Sequence, residues 1–173
     1  MLNRILRVSE RGWQYEPDQR HAEMIISGLG LEQAKSVKTP GEPGKKEKDA
    51  EQSKDLTRGQ ATEYRGMVAR ANYLAQDQMD LQYSVKELSR AMSAPTEHDW
   101  EKLKRLGRYF VGKPRVVTSY PWQEPVWTIT GYSDSDWAGC HKSGKSASGG
   151  VMVRGSHYIR SWNSTQKCVT LSC

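Results

Sequence analysis

The 173-residue chain carries 26 Lys and Arg against 20 Asp and Glu, for a net charge of +6, and its mean hydropathy is −0.80. A chain of this length forms one ordinary domain, or a small domain and part of another. It has no apolar run long enough to cross a bilayer and no apolar signal core after Met1, so we expect an intracellular protein, cytoplasmic or nuclear, with no membrane partner.

The charge and the cysteines indicate the kind of partner and compartment. An excess of Lys and Arg suits a polyanionic partner, although many soluble proteins also have a modestly basic surface. The cysteines at positions 140, 168 and 173 form neither an even set nor a metal-ligand spacing, so reduced thiols are expected.

Residues 1–34 are predicted to form a hairpin and a short helix. The turn signal Glu10-Arg11-Gly12 precedes alternating Trp13 and Tyr15, which is typical of a hairpin arm. Pro17 and Asp18 then open an amphipathic helix whose apolar face consists of Ala22, Ile25, Ile26 and Leu29. One hairpin and one helix bury little surface, so this segment should pack on another part of the chain.

Residues 35–56 are predicted to be a flexible, charged linker. The segment consists mostly of Lys, Glu, Asp, Gly, Pro, Ser and Gln and has almost no large apolar side chain. Such a composition cannot offset the entropy of ordering.

Residues 57–114 are predicted to form a bundle of three helices. Thr57, Asp80 and Thr96 are the expected N-caps, and Gly112 and Pro114 end the last helix. The apolar residues recur at helical spacing and should face one another: Tyr64, Met67, Val68, Ala71, Leu74, Ala75, Leu81, Val85, Leu88, Met92, Trp100, Leu103, Leu106, Gly107 and Phe110.

Basic side chains remain on the outside of these helices and in the loop 140–148. The candidate nucleic-acid-binding residues are Arg105, Arg108, Lys142 and Lys145, since a basic surface can hold a phosphate backbone. Simple solvation of exposed Lys and Arg explains the same pattern. The loop lacks the spacing of a nucleotide-binding phosphate loop, so nucleotide binding is not expected.

After Pro114 the pattern becomes alternating, which predicts strands. The candidates are 116–120, 126–134, 150–154 and 157–162, with Gly155-Ser156 as a two-residue hairpin turn. These strands are expected to form one small antiparallel sheet. The predicted fold class is therefore α+β, a small helical bundle followed by a sheet.

Asp134 stands at the end of the strand 126–134, with Asp136 two residues further on. A carboxylate fixed at a strand end can hold a divalent metal against a phosphate. Asp-x-Asp beside Ser and Gly is also ordinary turn chemistry, because these short side chains bond to their own backbone. Both interpretations of the motif remain open at this point.

Six blocks in this order resemble copia-type retrotransposon Pol polyproteins: residues 64–74 (YRGMVARANYL), 92–96 (MSAPT), 106–114 (LGRYFVGKP), 131–140 (GYSDSDWAGC), 145–150 (KSASGG) and 161–167 (SWNSTQK). The resemblance implies the end of a reverse transcriptase region over 1–34, a linker over 35–56, a thumb-like or connection-like helical segment over 57–114, and the start of a ribonuclease H domain over 115–173. The sheet would then be the first three strands of a ribonuclease H-like fold.

The resemblance also implies a chemistry. Ribonucleases H cut the RNA strand of an RNA–DNA hybrid with two Mg²⁺ ions held by several carboxylates. Asp134 matches the first of those carboxylates, with Asp136 as second choice. The chain ends at Cys173, before the Glu that relatives carry next, and it has no Tyr-x-Asp-Asp polymerase motif.

We therefore expect a truncated polyprotein segment that does not cut nucleic acid alone or hold Mg²⁺ stably, and whether the chain is an enzyme stays open. Two alternatives are a non-catalytic basic module that binds hybrid or duplex, and a metal-dependent nuclease completed by a partner or a longer gene product. A sheet without its later strand would have an unpaired edge, which predicts self-association.

Overall fold

The computed structural model describes residues 3–42, 53–136 and 143–169. Within these ranges the chain has four α-helices and two three-stranded antiparallel sheets, which confirms the α+β class. The described residues form two compact units: a helical unit of residues 3–5 and 16–117, and a β unit of residues 6–15 and 118–169. None of the described helices combines the length and apolar character that crossing a membrane requires.

The helical unit is built from α1 (Arg20–Gly28), α2 (Arg58–Ala75), α3 (Gln82–Arg90) and α4 (Glu97–Gly112), with a 3₁₀ turn at Met79–Leu81 before α3. The apolar faces predicted from the periodicity form its core, which confirms the helical pattern. Its largest fully buried side chains are Tyr64, Phe110, Ile25, Leu74, Leu81, Leu103, Leu106, Val68 and Val85. Met92 and Trp100 pack against this core while remaining partly exposed.

Two of the three predicted caps are confirmed. Thr57 and Gln60 form a capping box at α2, and Thr96 forms one with Asp99 at α4. The prediction that Asp80 caps the next helix is wrong, because Asp80 lies inside the 3₁₀ turn and α3 begins at Gln82 without a side-chain cap. The Asp80 carboxylate instead accepts hydrogen bonds from the Tyr109 hydroxyl and, at 2.8 Å, from Lys113 Nζ.

The described ends of the predicted linker are attached to the helical unit. Val37 N–H donates to the Arg108 carbonyl at 3.3 Å, and Arg108 Nε donates to the Lys35 carbonyl at 2.8 Å. At the other end, Leu56 N–H donates to the Pro95 carbonyl at 3.0 Å. Residues 35–42 and 53–56 of the predicted flexible linker are thus bonded to distant residues of the helical unit, which local composition does not report.

One sheet of the molecule has the order β1-β2-β3, from β1 (Ile5–Ser9), β2 (Gly12–Glu16) and β3 (Thr118–Pro121). The predicted N-terminal hairpin is confirmed. The prediction that residues 116–120 join the later strands is wrong, because β3 pairs with β2 from Tyr15↔Thr118 to Gly12↔Pro121. Gly12 is required there, since its φ is +138° and a Cβ would lie 2.1 Å from the Tyr120 carbonyl oxygen.

The second sheet has the order β4-β5-β6, from β4 (Thr130–Ser135), β5 (Ala147–Arg154) and β6 (His157–Thr165). The tight turn at Gly155-Ser156 is confirmed, and Gly155 has a φ of +60°. Residues 126–129 were predicted to be part of the first strand but lie outside it. Met152 pairs with Arg160 while Val153 pairs with Tyr158, so Ile159 is the extra residue of a β-bulge.

Candidate functional site

Asp134 is the penultimate residue of β4 and is solvent-exposed. It pairs with Gly149 of β5, so the strand end is held by the neighbouring strand. One carboxylate oxygen, Oδ1, accepts a hydrogen bond from Ser135 N–H at 2.8 Å. Asp134 is therefore an accessible carboxylate on a regular element, which is the placement that the metal hypothesis requires.

Asp136 follows β4 directly and has a structural role. Its Oδ1 accepts a hydrogen bond from Ala147 N–H at 2.5 Å, and its own N–H donates to the Ala147 carbonyl at 3.1 Å. These two bonds connect the end of β4 to the start of β5. Asp136 is thus engaged in bonds across to β5, whereas the Asp134 bond is the local one, to Ser135 N–H, so Asp134 is the better metal-ligand candidate.

Asn163 of β6 was not among the predicted site residues, although it shares a row with Asp134. The register pairs Asp134 with Gly149, and Gly149 with Asn163, so the three residues cross the sheet in line. Directly paired residues point to the same face of a sheet. Because Gly149 has no side chain, Asp134 and Asn163 flank a gap that we call the glycine slot.

The two predicted basic residues of α4 bond to the segment that precedes the undescribed residues 43–52. Arg105 Nη2 donates to Thr39 Oγ1 at 2.9 Å, and Arg105 Nη1 lies 2.7 Å from a Glu42 oxygen. Arg108 binds the Lys35 carbonyl, as described above. Their guanidinium groups therefore contribute to attaching residues 35–42, and the prediction that they bind nucleic acid remains a prediction.

The predicted basic residues of the loop before β5 are only partly described. Lys145 lies shortly before β5 and is half-buried, whereas Lys142 lies outside the described residues. Lys145 belongs to the β unit and the two α4 arginines to the helical unit, so the prediction that these residues bind nucleic acid stays a prediction.

Mg²⁺ prefers oxygen ligands such as carboxylates, and Asp134 supplies one. Over residues 3–42, 53–136 and 143–169, no three His, Cys, Asp or Glu side chains come together as a metal site. A metal held at Asp134 by three or more such side chains would therefore need ligands from outside the described residues.

Comparison with known proteins identifies related sequences. The chain is 39% identical over 106 residues to the retrovirus-related Pol polyprotein from transposon RE2 of Arabidopsis thaliana, covering 61% of the chain and 7% of that protein. It is 35% identical over 143 residues to the polyprotein from transposon RE1 of the same plant, covering 83% of the chain and 9% of that protein. An uncharacterised mitochondrial protein of that plant is 28% identical over 148 residues, covering 86% of the chain and 59% of its own length.

No protein-family model matches the chain, and no solved structure matches it significantly. The fold and the candidate site define an α+β protein with an exposed carboxylate at a strand end. The chain is homologous to a segment of retrovirus-related Pol polyproteins from transposons, which confirms the relationship predicted from its motifs. It spans less than a tenth of the two transposon polyproteins named above.

Proposed function

We propose that the chain is the part of a copia-type Pol polyprotein that links the thumb-like end of the reverse transcriptase region to the start of a ribonuclease H-like domain. The 35% identity to a transposon polyprotein over 143 residues supports this, because it extends through most of the chain. The order of a helical unit before a β4-β5-β6 meander agrees with the proposal.

In this proposal, β4 is the first strand of the ribonuclease H-like domain and Asp134 is the first metal ligand. The observation that carries it is the exposed Asp134 carboxylate at the end of a paired strand. Asp136 then has a different task, since its bonds to Ala147 hold the end of β4 against β5. A ligand on a restrained strand moves less, which favours a fixed metal geometry.

The substrate in this proposal is an RNA–DNA hybrid, whose RNA strand the family hydrolyses. When bound, Mg²⁺ would neutralise charge on the scissile phosphate and favour the attack of water. Asp134 would supply one ligand of the metal, and the other carboxylates would come from other parts of the polyprotein. We therefore expect this chain by itself to bind the metal weakly and not to cleave the hybrid.

The assignment of Asp134 can be tested without catalysis. Mn²⁺ broadens the NMR signals of nearby amides, so sub-stoichiometric Mn²⁺ should broaden those of Ser133, Ser135 and Gly149 in the ¹⁵N-labelled chain. Asp134→Asn should abolish this broadening, because it removes the charged ligand while keeping the shape of the side chain.

Asp136→Asn is the matched control. It retains the Oδ1 acceptor for Ala147 N–H and should leave the broadening in place. Broadening that survives Asp134→Asn, or that disappears in Asp136→Asn alone, would show that Asp134 is not the metal ligand.

A further inference from the structure

The glycine slot has a polar group on each side and nothing larger than hydrogen on its floor. Adjacent strands lie about 4.8 Å apart, so the Cα atoms of Asp134 and Asn163 are separated by about 10 Å. Both side chains are short, and side chains of a strand stand roughly perpendicular to the sheet, although the Asn163 amide leans toward Gly149. They therefore leave room between them for a ligand atom.

The Asn163 carboxamide is oriented suitably for a ligand in the slot. Its Nδ2 lies 3.4 Å from the position that a Cβ on Gly149 would occupy, so the amide donor is over the floor of the slot. Its Oδ1 is buried and has no hydrogen-bond partner among the described residues. No hydrogen bond to Oδ1 therefore holds the Asn163 side chain in place, although most buried amide oxygens have such a partner.

We propose that Asn163 binds a phosphodiester oxygen of the nucleic acid, with Nδ2 donating the hydrogen bond across the glycine slot from Asp134. This rests on the proposed role of Asp134, because a metal there would attract the same phosphate. Asn side chains are common donors to phosphate oxygens and carry no charge that would repel them. Gly149 has a steric task here, since any side chain on it would enter the slot.

The test combines two variants with two separate measurements. Gly149→Ala fills the slot, and its Cβ would meet no atom closer than 3.4 Å, so the sheet should fold. Asn163→Leu keeps about the same side-chain size but removes the donor without adding a charge. A short fluorescent RNA–DNA hybrid in Ca²⁺ is titrated at low salt, and both variants should weaken its binding about tenfold, the equivalent of about 1.4 kcal/mol.

Mn²⁺ broadening of the amides around Asp134 supplies the second measurement. Gly149→Ala and Asn163→Leu should both retain it, since neither changes the Asp134 carboxylate. Ser164→Ala, on the opposite face of β6, should change neither measurement.

The two proposals fail differently. If wild-type broadening is present but both slot variants bind the hybrid within twofold of wild type, Asn163 has no such role and the Asp134 assignment stands. The Asn163 proposal is also overturned if the wild-type chain shows no hybrid binding at low salt. If the broadening itself does not depend on Asp134, the metal assignment fails.

Discussion

Gly150 illustrates how one residue controls the packing of the β4-β5-β6 sheet. A Cβ at this position would lie 2.2 Å from Trp162 Cζ2 and 2.7 Å from the Tyr132 carbonyl oxygen. The Trp162 ring therefore occupies the space that any other residue at position 150 would need. One glycine of the Gly149-Gly150 pair accommodates an aromatic ring, and the other forms the floor of the slot.

We predict that Gly150→Ala destabilises the β unit by about 1–3 kcal/mol, the usual cost of overpacking. The contact with the Tyr132 backbone cannot be relieved by a side-chain rotation alone. Urea denaturation followed by tryptophan fluorescence measures the change. Gly149→Ala is the control and should change the stability much less, so equal losses in both variants would contradict this account of the packing.

The position of Asp134 could be predicted from the sequence, whereas that of Asn163 could not. Asp134 follows directly from the strand pattern and from the motif around it. Asn163 comes opposite Gly149 only because Ile159 bulges out between the Met152–Arg160 pair and the Val153–Tyr158 pair. A regular hairpin closed by Gly155-Ser156 would place Trp162 opposite Gly149 instead, and a bulge has no clear signature in one sequence.

The Asp80, Tyr109 and Lys113 side chains link the 3₁₀ turn before α3 to α4. Burial raises the pKa of Tyr109, and its hydrogen bond to Asp80 raises it further. The hydrogen bond to Asp80 raises the pKa of Lys113. Both side chains therefore hold their protons more tightly in the folded protein than in the unfolded chain.

This link predicts a loss of stability at alkaline pH. Groups with a raised folded pKa stabilise the protein fully below their ordinary pKa, and the stabilisation disappears as pH rises through the folded value, here above about pH 10. Urea denaturation at pH 9 and pH 11 should show a smaller alkaline loss for Asp80→Asn than for wild type. Asp77→Asn, which removes a partner of Arg4, should leave the alkaline loss unchanged.

Elements defined by local signals were predicted well, and those defined by distant contacts were not. The capping boxes at Thr57 and Thr96 involve residues three positions apart, which the sequence displays directly. The attachment of residues 35–42 depends on Arg105 and Arg108, far along the chain. Composition does not predict such bonds, because a polar segment has the same kind of sequence whether or not it is bonded to a helix.

At the scale of the molecule, the outer edge of β4 is exposed. Among the described residues no strand pairs with that edge, and Tyr132 is 60% exposed. The preceding segment presents Ile129, 58% exposed, and Trp127, 88% exposed. An apolar, unprotected edge favours pairing with another strand.

We predict that the chain self-associates with increasing concentration through this edge. Analytical ultracentrifugation should show a shift to larger species that Trp127→Lys reduces, because the added charge opposes pairing while the exposed ring contributes little to folding. Ala69→Lys, on the exposed surface of α2, adds the same charge and should not change association. A monomer at all concentrations, or equal association in all three proteins, would exclude this edge as the contact.

The α+β class and the order of helices before the β4-β5-β6 meander could be predicted from the sequence, but the assignment of strands to sheets could not. The predicted strand 116–120 was grouped with the strands that follow it, whereas residues 118–121 pair with residues 12–15 of β2. An alternating pattern of apolar and polar residues predicts a strand, but it does not predict which other strand pairs with it. Pairing between segments that lie on either side of a helical unit depends on the folded chain as a whole.

Residues 6–15 belong with residues 118–169 although the helical unit separates them in sequence. A fragment that begins near residue 115, where the sequence suggests a boundary, would keep β4, β5 and β6 but remove the strand that pairs with β3. Cutting the chain at that point would therefore divide a folded unit, and a recombinant fragment that contains β4, β5 and β6 should retain the N-terminal hairpin.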